Sequence, residues 1–188
     1  VKREVRQRCG HGCVFCGVPL IEYDHMIDYA KTKRHVADEI TLLCNRHHAE
    51  KTRGLLTREA VEKANASPHN VKAGVTSPFG LHFDAEGEVE MVIGGDSFKS
   101  TTDVFPLVID DCPVIGFFRT EGELRLHLNI CDKFNRQILV VSNNELMMAS
   151  DTWDIEFVAQ QLTLREASRN ILLQIAFHVP NRVEIRRA

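Results

Sequence analysis

The sequence predicts an α+β chain in two parts: a small metal-stapled unit made of a β-hairpin and a helix, then a β-rich domain folded as an antiparallel sandwich or a stacked β-array. Three observations carry this. Two knuckles of paired soft ligands, Cys13-x2-Cys16 and Cys44-x2-His47, lie within one short stretch. From Leu81 onward, apolar residues recur with the period of strands. The charge also divides: residues 1–63 hold 12 Lys and Arg against 9 Asp and Glu, a net of +3, and the remainder holds 11 against 17, a net of −6. The division expected is 1–66 for the metal unit, 67–80 for a linker and 81–188 for the β-rich domain.

In chain order, the first knuckle is Cys13-Val14-Phe15-Cys16 followed by Gly17, and a tight turn there aims both thiols at one ion. One such pair alone could be a redox couple. Two pairs supply four ligands and close a tetrahedral zinc shell. Cys9, four residues before Cys13, could displace one ligand but reads better as a small buried hydrophobe. His11 reads as structural. Ile21 to His25 is apolar and β-prone before turning polar, so Asp24 and His25 end a strand. Neighbours on a strand face opposite sides, and both can serve one site only where the strand ends or bulges. Ile40 to Leu43 reads as the returning strand of a hairpin. A helix beginning near Asn45 would turn His47 and His48 roughly 100° apart, one toward zinc and the other elsewhere, with a second metal the natural destination. Asp24 then offers a hard oxygen ligand and His25 a base for water.

Thr57 reads as the N-cap of a helix over Arg58–Asn65. Ser67-Pro68, Gly74 and Ser77-Pro78 make the following stretch a linker or wrapping loop. Strands are expected at Glu88–Ile93, Pro113–Arg119, Leu124–Ile130, Gln137–Val141, Trp153–Val158, Leu162–Leu164 and Asn170–Phe177, with turns at Gly94-Gly95 and Asn143-Asn144. A 48-residue offset aligns Asp84 with Asp132, Asp103 with Asp151 and Phe105 with Trp153, an architectural hint of duplication. Cys112, Cys131, Trp153, Phe117 and Phe118 read as core residues.

Residues 13–52, with C-x2-C, then Asp24-His25, then Leu43-Cys44-x2-His47-His48-x2-Lys51-Thr52, resemble the HNH endonuclease family. The resemblance covers roughly the first third of the chain. It implies a ββα-metal fold with structural zinc on Cys13, Cys16, Cys44 and His47. It also implies a water-activating base at His25 and a catalytic divalent ion, Mg2+ or Mn2+, on Asp24 and His48. Two positions depart from the family. His47 replaces a cysteine, a mild change because imidazole is an ordinary zinc ligand. Glu39 stands where the family has asparagine, and reads as a third anionic ligand, as a brace for the His25 loop, or as a strand-edge charge.

The basic residues fit a polyanion. Lys31, Lys33 and Arg34 in the hairpin loop and Lys51, Arg53 and Arg58 after the knuckle can meet phosphates without reading sequence. His35, in the same loop, could contact substrate or metal but reads better as an exposed loop histidine. DNA is the partner the resemblance implies, in restriction, phage defence or a mobile element. No apolar run approaches a membrane span and no signal-peptide core opens the chain, so a soluble, cytoplasmic protein is expected. The acidic second part argues against a further DNA contact and for a protein partner or self-association. The rival reading is a catalytically silent zinc module that binds nucleic acid or protein and needs neither Asp24 nor His48.

Overall fold

A computed structural model describes residues 1–27, 29–84 and 86–187, with the backbone alone at residues 31 and 32. The chain is mixed α+β with a large β part, divided into one unit of Val1–Ser77 with Ala149–Ile155 and a second of Pro78–Met148 with Glu156–Ala188.

The first unit contains α1 (Lys2–Arg8), β1 (Glu22–His25), α2 (Tyr29–Thr32), β2 (Ile40–Leu43), α3 (Asn45–Thr52), α4 (Arg58–Ala66) and α5 (His69–Ala73). β1 and β2 form the expected antiparallel hairpin, with Tyr23 opposite Leu42 and Asp24 opposite Thr41. Every residue of β2 is buried, and Ile40, Leu42 and Leu43 join Val5, Cys9 and Val14 in a small core. A core of that size stabilises a fold weakly, which makes a metal staple useful. The N–H of Val14 donates to the Leu42 carbonyl at 3.0 Å and fixes the first knuckle to β2.

The stretch read as a linker instead carries α5 and the fully buried Asn70. The Asn70 amide donates to the carbonyls of Gly10 (2.9 Å) and Gly17 (3.0 Å), bracing both sides of the knuckle. A Cβ at Gly12 or Gly17 would lie 2.3 or 2.2 Å from that amide, so both positions need glycine. Prolines and a glycine mark chain breaks correctly, but they do not distinguish a free linker from one held by a buried side chain.

The segment Ala149–Ile155 also belongs to the first unit. Asp154 accepts from Arg6 Nε at 2.8 Å and from Nη2 at 2.9 Å, a bidentate pair with both side chains almost wholly buried. Tyr23 accepts a further hydrogen bond from Arg6 at 2.7 Å. Trp153 is half-buried beneath the Arg3 guanidinium, 4.5 Å from the ring centroid. His11 is structural, as expected: Nδ1 accepts from the Ile155 N–H at 3.3 Å, so Nε2 carries the proton and donates to the Thr152 carbonyl at 2.8 Å. Burial lowers its pKa and keeps the ring neutral. Because removing one partner of a buried ion pair leaves an uncompensated charge, Asp154→Ala should lower unfolding stability by about 3–5 kcal/mol. Urea denaturation of the whole chain measures this, and a loss below about 1 kcal/mol, the range of surface pairs, would contradict it.

The second unit contains two six-stranded sheets. One is ordered β3 (Phe79–Gly80), β10 (Glu145–Met148), β9 (Gln137–Ser142), β8 (Glu123–Cys131), β7 (Cys112–Thr120) and β6 (Val104–Ile109). The other is ordered β11 (Asp154–Val158, of which residues 156–158 belong to this unit), β12 (Gln161–Ala167), β13 (Asn170–His178), β14 (Arg182–Arg187), β4 (Val89–Ile93) and β5 (Asp96–Ser100). Each buries one face, with Phe117, Leu124, Leu126, Leu128 and Val141 on the first, and Met91, Leu162, Leu164, Ile175 and Val183 on the second. This unit has no helix among its described residues, and Phe79 of β3 meets Phe157 of β11 edge-on at 5.9 Å.

All seven expected strands are present, within a residue or two at their ends apart from β12, which runs beyond the expected Leu162–Leu164 on both sides. Both turns hold as well, with positive φ at Gly94, Gly95, Asn143 and Asn144. Three expectations need correcting. The β-rich unit is not wholly antiparallel, because β14 runs parallel to β4, inserted between it and β13. Cys112 and Cys131 are exposed at strand ends rather than buried, and Phe118 is half-buried on the face opposite Phe117. The 48-residue correspondence does not extend to the architecture: Asp103 and Phe105 lie in the second unit, and their counterparts Asp151 and Trp153 lie in the first. Among the described residues no helix is long and apolar enough to cross a membrane.

Candidate metal centre and adjoining cleft

Cys13, Cys16, Cys44 and His47 converge, with their donor atoms all within 4.8 Å of one another. Cys13 Sγ lies 3.3 Å from His47 Nδ1, Cys44 Sγ lies 3.2 Å from the same nitrogen, and Cys16 Sγ lies 3.7 Å from Cys44 Sγ. Zinc bonds of about 2.3 Å to sulfur and 2.0 Å to nitrogen place tetrahedral neighbours about 3.5–3.8 Å apart, so the set closes on one ion with small adjustments. The local backbone explains the convergence. Gly17 takes φ +75° and its N–H returns to the Cys13 carbonyl at 2.8 Å, while Cys44 caps the start of α3 and His47 follows one turn later. Phe15 stacks on the His47 ring at 4.9 Å and holds its orientation. Burial raises the Cys13 and Cys16 thiols, Cys16 up to about 12, and lowers His47. Imidazole is thus in its ligand form, and metal uptake releases thiol protons. Among the described residues this is the one group of three or more His, Cys, Asp and Glu donors that converges so closely, and it can hold a metal ion such as zinc. Cys9 lies outside it, buried beside Thr41 and Asn65, where burial raises its thiol.

On the other face of α3 lies a cleft of about 580 Å3, lined by Tyr23, Asp24, His25, Tyr29, His48 and Lys51 among others. β1 ends at His25, which lets two successive residues reach one hollow. His48, Lys51 and Thr52 enter at helical spacing i, i+3 and i+4. His48 Nδ1 lies 3.0 Å from Glu22 Oε2, and Nε2 lies 3.4 Å from Asp24 Oδ1. If Nδ1–H donates to Glu22, the facing Nε2 and Asp24 oxygen require a proton or a cation between them. Asp24 is buried and its second oxygen accepts from Lys51 Nζ, which also donates to the His25 carbonyl. His25 Nε2 lies 3.1 Å from His35 Nδ1, and the His35 ring stacks on Tyr29 at 4.5 Å.

Asp24, His25 and His48 are therefore brought together. Glu39 is not: one carboxylate oxygen pairs with Arg34, the other is buried without a hydrogen-bond partner among the described residues, and Glu39 does not line the cleft. Its backbone carbonyl accepts from the Met26 N–H at 2.8 Å, tying the two ends of the hairpin loop. Glu39→Gln should accordingly leave the divalent-ion dependence of any activity unchanged. A titration against magnesium checks this, and a tenfold higher magnesium concentration for half-maximal activity would restore Glu39 to the ligand set.

Of the basic residues, Lys51 pairs with Asp24, Arg34 with Glu39 and Arg58 with Glu62, while Lys33 and Arg53 are exposed. The Lys31 side chain lies outside the described residues. Sequence reasoning missed the roles of Glu22 and Tyr29 and left His35 as a plain loop residue; no ligand spacing marks any of them. A larger hollow of about 760 Å3 lies in the second unit, lined by Phe83, Asp84, Glu86, Glu123 and Asn144 among others. Its acidic rim repels phosphate, and the cleft beside α3 is the better candidate despite its smaller volume. Comparison with known protein families, curated proteins and solved structures finds no match to this chain.

Proposed function

We propose that the first unit is an HNH-type, metal-dependent endonuclease that hydrolyses phosphodiester bonds of DNA, with zinc on Cys13, Cys16, Cys44 and His47. The observation that carries this reading is the cleft in which Asp24, His25 and His48 meet beside that cluster, the constellation the resemblance implies. Asp24 and His48 would hold a magnesium or manganese ion: Oδ1 and Nε2 face each other at 3.4 Å, and octahedral bonds of about 2.1 Å would ask the two donors to close to about 3.0 Å. When bound, that ion supplies positive charge to the oxygens of the reacting phosphate. His25 takes a proton from the attacking water, a role its position at the strand end and cleft wall permits. Lys51 places an ammonium in the same cleft and meets the phosphate backbone without reading bases. Restriction, phage defence or a mobile element are the settings that such a unit fits.

One observation favours a second reading. The Lys51 ammonium already neutralises Asp24, as it would in a silent zinc module that binds nucleic acid or protein. Incubating plasmid DNA with the whole chain and a series of divalent ions separates the two. The nuclease reading expects nicking that requires an ion and is lost in Asp24→Asn, whereas the module binds DNA or protein in both forms and cuts with neither. For the second unit we propose a protein partner or self-association, supported by the β6 edge, where Val108 and Ile109 are exposed.

A further inference from the structure

Three aromatic rings stand together at the end of the hairpin: His25 lies 5.3 Å from Tyr29 and 5.0 Å from His35, and Tyr29 lies 4.5 Å from His35 at 26° between planes. A polar contact links two of them, His25 Nε2 to His35 Nδ1 at 3.1 Å. His25 and Tyr29 line the cleft and His35 does not, so His35 backs the base from outside. We propose that His35 is a positioning residue, accepting a hydrogen bond from His25 Nε2–H and thereby fixing His25 in the tautomer whose bare Nδ1 serves as the base. This rests on the nuclease reading above and adds to it a residue that lies outside the motif.

The argument is one of proton bookkeeping. A neutral imidazole carries one N–H, and the hydrogen bond made by one nitrogen decides what the other offers. Were His35 the donor, His25 would carry its proton on Nδ1, and neither ring nitrogen of His25 would be free to take another. With His25 as donor, Nδ1 is bare and no partner engages it among the described residues. In the reaction, the O–H bond of water breaks and its proton passes to Nδ1. The water oxygen bonds to phosphorus, the bridging P–O bond breaks, and the leaving oxygen takes a proton from solvent. As His25 gains that proton, its hydrogen bond to His35 becomes charge-assisted and strengthens. A contact that strengthens in the transition state raises kcat rather than affinity. Tyr29 supplies what an exposed loop histidine lacks, a face that keeps the ring from turning away.

The test uses two variants of the whole chain with plasmid substrate. His35→Phe keeps a ring against Tyr29 and removes the acceptor; His35→Asn removes the ring and can place an acceptor oxygen near the position of Nδ1. Orienting partners of this kind are worth roughly 10–100-fold in activity. Expected for His35→Phe is a fall of that size in kcat with KM and zinc content unchanged, and recovery of most of it in His35→Asn. Nitrogen-15 NMR of the imidazoles should show His25 protonated at Nε2 in the parent and mixed between nitrogens in His35→Phe. Cleavage by His35→Phe at the parental rate, or equal loss in both variants, overturns the positioning role and leaves the nuclease reading standing. No cleavage by the parent chain with any divalent ion overturns both.

Discussion

His25→Ala should reduce ion-dependent plasmid cleavage by about 10²–10⁴-fold while leaving DNA affinity, zinc content and fold close to the parent. The magnitude is that of a general base, which acts on the barrier and contributes little to binding the ground state. The structural side follows from placement. His25 is half-exposed at the end of β1, its ring packs beside those of Tyr29 and His35, and its backbone pairing with Ile40 survives loss of the side chain. A time course of supercoiled plasmid converting to nicked and linear forms, set beside a binding isotherm, reads both quantities. Parental rates from His25→Ala would remove the base from the mechanism. Weakened DNA binding with unchanged single-turnover rate would make His25 a contact residue instead.

The second large effect concerns the Cys/His cluster. Purified protein should carry about one tightly bound zinc, absent in a Cys13→Ser, Cys44→Ser double variant, and its loss should unfold the first unit. Structural zinc is worth on the order of 10–16 kcal/mol of apparent binding free energy, far above what the small core around Val5, Val14 and Leu42 supplies alone. The single tryptophan reports the outcome, because Trp153 belongs to the first unit and lies under Arg3. Strong chelation should therefore change its fluorescence, while far-ultraviolet dichroism keeps the strand signal of the second unit. Zinc content unchanged in the double variant, or a tryptophan signal insensitive to chelation, would contradict this.

The sequence by itself determined what depends on spacing. Two ligands two residues apart need only a tight turn to meet, so Cys13, Cys16, Cys44 and His47 were legible as one cluster. The angular step of a helix was enough to send His47 and His48 to different faces of α3, and alternation was enough to place seven strands. Only the tertiary structure decided contacts that no local period encodes. Arg6 finds Asp154 at a separation of 148 residues, and Asn70 reaches back to Gly10 and Gly17 from a stretch whose prolines and glycine read as a linker. The charged β14 joins the sheet parallel to β4 with only the alternate residues Val183 and Ile185 buried, a pattern too short and too mixed to announce a strand. The same holds at the cleft: Glu22 meets His48 because α3 packs beside β1, and His35 meets His25 because the hairpin loop returns to the end of β1. Periodicity fixes which face a side chain shows. What waits across from that face depends on long-range closure, whose entropy and packing are properties of the whole chain.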